Sequence, residues 1–143
     1  MGTIMNNTIS LTPLKKISTA GGDVLHGFKN TDTNFTCFGE AYFSCVMHES
    51  VKAWKKHSLM TMNLIVPVGK VRFVFKSDSD DDFYVEEIGI DNYARLTVPP
   101  GVWFGFQGLC PEGSLILNIA DILHSEGEVE RCEIGSLNFD WSK

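Results

Sequence analysis

Residues 52–57, Lys52-Ala53-Trp54-Lys55-Lys56-His57, crowd lysine amines and an imidazole into one short stretch. An imidazole exchanges protons near neutrality, because its ordinary pKa is about 6.5. A lysine starts near ~10.4 and serves as a base only where burial or neighbouring cations disfavour its ammonium form. Residues two apart share a face of a β-strand. An extended segment here places Ala53, Lys55 and His57 on one face, and Lys52, Trp54 and Lys56 on the other. In that arrangement a protonated His57 presses the Lys55 pKa down, and the pair offers proton transfer. The plainer alternative has the lysines reaching solvent and His57 as a satisfied polar core residue.

Other reactive side chains are scattered. Cys37, Cys45, Cys110 and Cys132 show no C-x-x-C spacing, so a zinc knuckle is not expected. They read as free thiols, with Cys45, inside an apolar run, as core filler. No base stands beside Cys45 in sequence, which argues against a nucleophile. Residues 77–83 are dense in carboxylates but lack the Gly and terminal Glu of a calcium loop, and they read as a solvated hairpin tip. His26, His48 and His124 fall in turns or at strand ends and read as surface residues.

The chain has 143 residues, of which 43% are apolar and 21% charged, as expected of one soluble globular domain. Its formal net charge of -6 argues against general nucleic-acid binding but permits a local basic pocket for a phosphorylated small molecule. The opening MGTIMNNTISLTPLKK lacks the charged start and apolar run of a secretory signal. Met1-Gly2 is a myristoylation start, but Asn6 stands where Ser or Thr is preferred. No segment is long and apolar enough to span a membrane. A cytoplasmic location is expected.

Positioning the 52–57 stretch falls to β-strands. GEAYFSCVM (39–47) is aromatic and β-prone; LIVPVGKVRFVF (64–75) gives strands broken at Pro67 and Gly69. In the second of these Val71, Phe73 and Phe75 share one face, and Lys70, Arg72, Val74 and Lys76 the other. YVEEIGI, ARLTVPPGVWFGFQGL and SLILNIAD supply further strands. No helix of four turns with a 3.6-residue period is present. The two turns VPVGKV and VPPGVW both set Pro before Gly at a strand junction, with Pro fixing φ and Gly supplying a positive φ. Paired turns of this kind predict an all-β double-stranded β-helix, the cupin jelly roll, as a single domain over 1–143. An N-terminal arm is expected over 1–24, the barrel core over 25–121, and a wrapping tail over 122–143.

The pieces HGFKNTDTNFTCFGEAYFS, SVKAWKKH, IVPVGKVRFVF, LTVPPGVWFGFQGL, LILNIAD and FDW, from about Leu25 to Trp141, resemble in order the RmlC-like cupins. These are related to dTDP-4-dehydrorhamnose 3,5-epimerase and to smaller sugar-nucleotide epimerases and ketoisomerases. The resemblance implies a homodimer that handles a nucleotide-linked 4-keto-6-deoxy sugar by proton transfer alpha to a ketone, without a cofactor. Relatives read K-x-W-H-x-H where this chain has Lys55 at the first histidine and keeps His57 at the second. They read PPGVWHGF where this chain has Phe104. The tyrosine acid of the epimerases falls near Asn118. The resemblance therefore implies Lys55 and His57 as the catalytic positions. It implies Lys52, with Arg72 on the next strand, as contacts to the diphosphate, and Trp54, Phe104 and Asn118 as further substrate contacts. With only His57 left of the metal-binding set, no metal is expected.

Three functions are compatible with these residues. One is an epimerase or ketoisomerase. Another is a catalytically silent cupin that binds a sugar nucleotide or a protein partner. The third is an unrelated small-molecule-binding jelly roll. Nucleic-acid and membrane partners are not expected.

Overall fold

The computed structural model describes residues 9–143. The Met1-Gly2 and Asn6 readings and the first part of the expected arm lie outside the described residues. Twelve strands follow in order: β1 (Ser10–Pro13), β2 (Lys16–Ile17), β3 (Val24–Leu25), β4 (Glu40–Val46), β5 (Val51–His57), β6 (Met62–Val68), β7 (Lys70–Ser77), β8 (Tyr84–Gly89), β9 (Ala94–Val98), β10 (Val102–Gly108), β11 (Ser114–Ala120) and β12 (Val129–Arg131). They form two five-stranded antiparallel sheets, β1-β9-β6-β11-β4 and β12-β5-β10-β7-β8, with a small β2-β3 pair beside them. This is the cupin jelly roll. Among the described residues no helix is long and apolar enough to cross a membrane.

Strand alternation builds the core between the sheets. Val71, Phe73 and Phe75 face inward from β7, and Leu64 and Val66 from β6. Leu96 and Val98 do so from β9, and Ile116 and Ala120 from β11. The fully buried Phe73 side chain alone contributes about 1.5–3 kcal/mol of burial. Both Pro–Gly junctions are turns as expected, with φ of 86° at Gly69 and 87° at Gly101. Residues 78–82 form an exposed tip between β7 and β8, while Phe83 packs against Trp54 and Phe139.

Both ends of the described chain enter the sheets. β1 pairs with β9, and β12, from the tail, pairs with β5. The tail also covers the outer face of β5. Trp54 is 2% exposed there, between Phe83 and Trp141, and its Nε1 donates to the Ile134 carbonyl (3.0 Å). Cys45, expected in the core, is exposed instead: on β4 the inward positions are Ser44 and Val46, so Cys45 faces outward.

Candidate active site

The pairing of β5 with β10 decides the site. Opposite Phe104 stands Lys55; opposite Gly105 stands Ala53; opposite Phe106 stands Lys52. The register shifts between Phe104 and Gly105, so β5 carries an extra residue, Trp54. Such a bulge interrupts alternation. Uninterrupted alternation would set Lys52 and Lys55 on opposite faces. The bulge brings both into the interior, correcting the face assignment expected from sequence.

Gly105 is what allows this crowding. A Cβ there would lie 2.6 Å from the Ala53 Cβ and 3.2 Å from the Trp141 and Trp54 rings. Gly105→Ala is expected to destabilise the fold by about 1–3 kcal/mol, because backbone and packed rings must yield. A lowered urea midpoint at unchanged slope is the measurement.

A cavity of ≈ 400 Å³ lies between the sheets. Its buried floor is Met62, Leu64, Phe73, Phe104 and Ile116, and its more exposed rim carries Tyr42, Ser44, Lys52, Lys55 and Arg131. Phe104 faces inward, while Trp103, next in the strand, faces outward against Lys56 (4.9 Å). Asn118, 3% exposed, donates from Nδ2 to Tyr42 Oη (3.0 Å) and accepts the Asn63 N–H at Oδ1 (3.1 Å). Tyr42 and Asn118 are cross-strand partners on β4 and β11. Where the family pattern would place a tyrosine, the neighbouring strand supplies a phenol.

Lys55 is half-buried, and no hydrogen bond or ion pair holds its Nζ among the described residues. Burial lowers its pKa below the ordinary lysine value. The Arg131 guanidinium, brought opposite Lys55 by the β12–β5 pairing, adds to this, as does Lys52. Glu126 and Glu128 oppose the shift. The expected source of the depression was His57; the cations responsible are Arg131 and Lys52, because His57 is turned toward a carboxylate.

His57 is buried behind Phe104, ring centroids 6.0 Å apart, and its Nδ1 bonds the Glu128 carboxylate. Glu128 Oε1 also accepts the N–H groups of Leu59 (2.9 Å) and Met60 (3.1 Å). Burial pushes the Glu128 carboxyl up, but the bonds from His57, Leu59 and Met60 outweigh it and hold the group below the usual carboxylate range. His57 is therefore not among the residues lining the cavity. Trp54 belongs to the cavity wall, although its indole packs into the tail.

Arg72 is not brought to the cavity. It lies on the other face of β7, where alternation puts it, paired with Glu87 (2.9 Å) and donating to Gln107 (3.2 Å). Arg131 stands at the mouth in the place envisaged for Arg72. Sequence reasoning passed over Arg131 because it sits in a tail with no strand pattern. Tyr42 is hidden in sequence among the aromatics of its strand. The signal for Tyr42 was its spacing with Ser44 on an aromatic strand, both inward by alternation. Among the described residues no cluster of three His, Cys, Asp or Glu side chains comes together.

No protein-family model and no curated protein sequence matches the chain. Solved structures do. A dTDP sugar isomerase from Desulfovibrio desulfuricans G20 is 37% identical, with a TM-score of 0.88, over 94% of this chain and 90% of that one. QdtA, a sugar 3,4-ketoisomerase from Thermoanaerobacterium thermosaccharolyticum in complex with TDP, is 22% identical with a TM-score of 0.76, over 90% of both chains. RmlC from Legionella pneumophila, a dTDP-6-deoxy-D-glucose-3,5-epimerase, is 15% identical with a TM-score of 0.79, over 93% of this chain and 78% of that one. The last two share the fold. The first adds identity across nearly the whole length, and with it the chain belongs to the RmlC-like cupin family.

Proposed function

We propose that this cupin acts on a nucleoside-diphosphate-linked 4-keto-6-deoxy sugar, moving a proton on the carbon next to the ketone. The observation that carries this is the convergence of Lys52, Lys55 and Arg131 with the Tyr42–Asn118 pair on one apolar-floored cavity. A diphosphate brings negative charge that Lys52 and Arg131 can meet, Arg131 with a planar fork of donors. The sugar then lies toward Phe104, beside the Lys55 amine and the Tyr42 hydroxyl. Enolisation requires a group to take the proton and another to return it, and these two stand at the same cavity. The relatives support this substrate class: a single-substitution mutant of QdtA has a structure with TDP-4-keto-6-deoxyglucose, and the Legionella RmlC one with dTDP-4-keto-L-rhamnose. No cofactor enters such a proton transfer. A homodimer is part of the proposal, favoured by the outer edge of β4, which pairs with no further strand among the described residues and where Phe43 is 63% exposed.

The silent binder keeps a specific feature in its favour: Lys55 and Phe104 stand at positions where the family pattern has histidines. Incubation with dTDP-4-keto-6-deoxyglucose in heavy water separates the two. Deuterium at C3 or C5 is expected; tight binding without exchange would leave the silent binder, and neither would remove both.

Arg131→Ala is expected to weaken dTDP binding about tenfold or more, since a hydrogen bond to a charged group contributes about 1.5–3 kcal/mol. It also removes a cation that holds the Lys55 pKa down. The rising limb of the exchange rate, set by deprotonation of Lys55, should therefore move to higher pH. Calorimetry and a pH–rate profile check both.

A further inference from the structure

We propose that Lys55 acts covalently: its Nζ condenses with the ketone of the substrate to form an imine, and the proton moves on the iminium rather than on the free ketone. The inference rests on the function proposed above. Lys55 enters the cavity from β5, directly opposite Phe104. The other cavity cations are engaged. Lys52 donates to the Cys45 carbonyl (3.4 Å), and Arg131 pairs with Glu126 (2.9 Å). Lys55 has no such partner among the described residues. An amine over an apolar floor, beside cations and with no carboxylate bonded to it among the described residues, gives up its proton more readily; burial and Arg131 outweigh Glu126 and Glu128 and hold this one below the ordinary lysine range. A neutral lysine amine facing a carbonyl carbon is a nucleophile as well as a base.

The nucleophilic role is favoured by what else the cavity holds. A simple base at Lys55 would leave an enolate oxygen that needs a donor. The buried amide of the cavity, Asn118, already directs its Nδ2 to Tyr42 Oη (3.0 Å) and the Met60 sulfur (3.9 Å), which leaves such an oxygen to the hydroxyls of Tyr42 and Ser44 nearer the mouth. The imine route creates no enolate oxygen. Electrons released from the C–H bond end on the Lys55 nitrogen, as a neutral enamine. The iminium also acidifies the adjacent C–H, so a weak base suffices. That matters because the described lining residues include no carboxylate, and His57 is committed to Glu128.

The steps balance without any further reagent. The Nζ lone pair forms a bond to the carbonyl carbon as the C–O π electrons move to oxygen. That oxygen takes one proton from the amine and one from Tyr42 or water, and leaves as water. The iminium loses its α proton to the Tyr42 phenolate, or the hydroxide, that this step leaves behind. Water on the other face returns a proton to the same carbon, and the hydroxide left adds to the iminium, releasing the epimeric ketone and free Lys55. Carbonyl migration to the neighbouring carbon does not follow, because nitrogen would stay bonded where it first attached. The imine therefore assigns the chain to epimerisation rather than to ketoisomerisation.

The test uses the full-length protein, dTDP-4-keto-6-deoxyglucose and water enriched in heavy oxygen, with and without sodium cyanoborohydride. The keto oxygen should exchange with solvent about 10²-fold or more faster than with Lys55→Met, whose fold is checked by thermal melting. Cyanoborohydride should leave, on the peptide containing Lys55, a mass increase equal to the sugar nucleotide less one oxygen. Deuterium uptake at C3 or C5 with neither oxygen exchange nor adduct would overturn the imine and leave the proposed function standing. Absence of all three signals overturns both.

Discussion

Lys55→Met is expected to slow deuterium uptake at the carbon next to the ketone by about 10²–10⁴-fold, the usual range for losing a positioned proton-transfer group. Affinity for dTDP should change little by comparison, because Lys52 and Arg131 remain at the mouth. A loss in kcat with KM nearly unchanged identifies an interaction made in the transition state. Lys55→Arg sharpens the point. Arginine keeps the positive charge but stays protonated at any working pH. If Lys55 serves only to hold the diphosphate, Arg rescues; if a neutral amine is needed, Lys55→Arg fails as badly as Lys55→Met. The pH dependence has a defined sign. The Lys55 pKa lies below its ordinary value, chiefly through burial, so wild-type activity rises with pH through that depressed value and is lost on acidification. A flat profile would remove the amine from the mechanism.

Glu128→Ala is expected to give the largest loss of stability, about 3 kcal/mol or more, because it leaves several buried donors without their acceptor at about 1–3 kcal/mol each. The substitution strands the buried His57 ring and the N–H groups of Leu59 and Met60, which Glu128 accepts at 2.9 and 3.1 Å. Removing both partners in His57→Phe with Glu128→Leu should recover much of the loss, because an apolar pair of similar shape leaves nothing unsatisfied. Urea unfolding of the two singles and the double measures the coupling. The wild type carries a matching pH signature. Glu128 has a folded-state pKa below its unfolded one, so its contribution is fully present above the unfolded value, about 4.3. It is lost as pH falls through the depressed folded value. The double variant should lose part of that acid sensitivity. Because His57 and Glu128 fasten β5 to the turn before β12, the single variant should also loosen the Arg131–Lys55 pairing and weaken dTDP binding.

Much of the architecture was legible because its causes are local. Val71, Phe73 and Phe75 alternate with Lys70, Arg72 and Lys76, and that period alone sends Phe73 inward and Arg72 outward. Taken at face value, the same alternation already argued against Arg72 reaching the cavity. Pro67 with Gly69, and Pro100 with Gly101, marked strand junctions through backbone sterics that need no distant partner. The same alternation sets Trp103 and Phe104 on opposite faces of one strand.

What eluded the linear reading depends on pairing between distant segments. Whether Lys52 and Lys55 share a face is decided by a bulge set against Gly105, roughly a third of the chain away. Whether His57 is free to act is decided by Glu128, reached only when β12 docks on β5. Tyr42 meets Asn118 through the β4–β11 register. From its own order of residues the chain determined a β-barrel with a basic strand at its mouth, since side-chain period and turn sterics act over a few residues. Folding alone decided which amine stands unpaired in the cavity, because register, burial and the approach of Arg131 arise only when segments far apart in the chain are closed against one another.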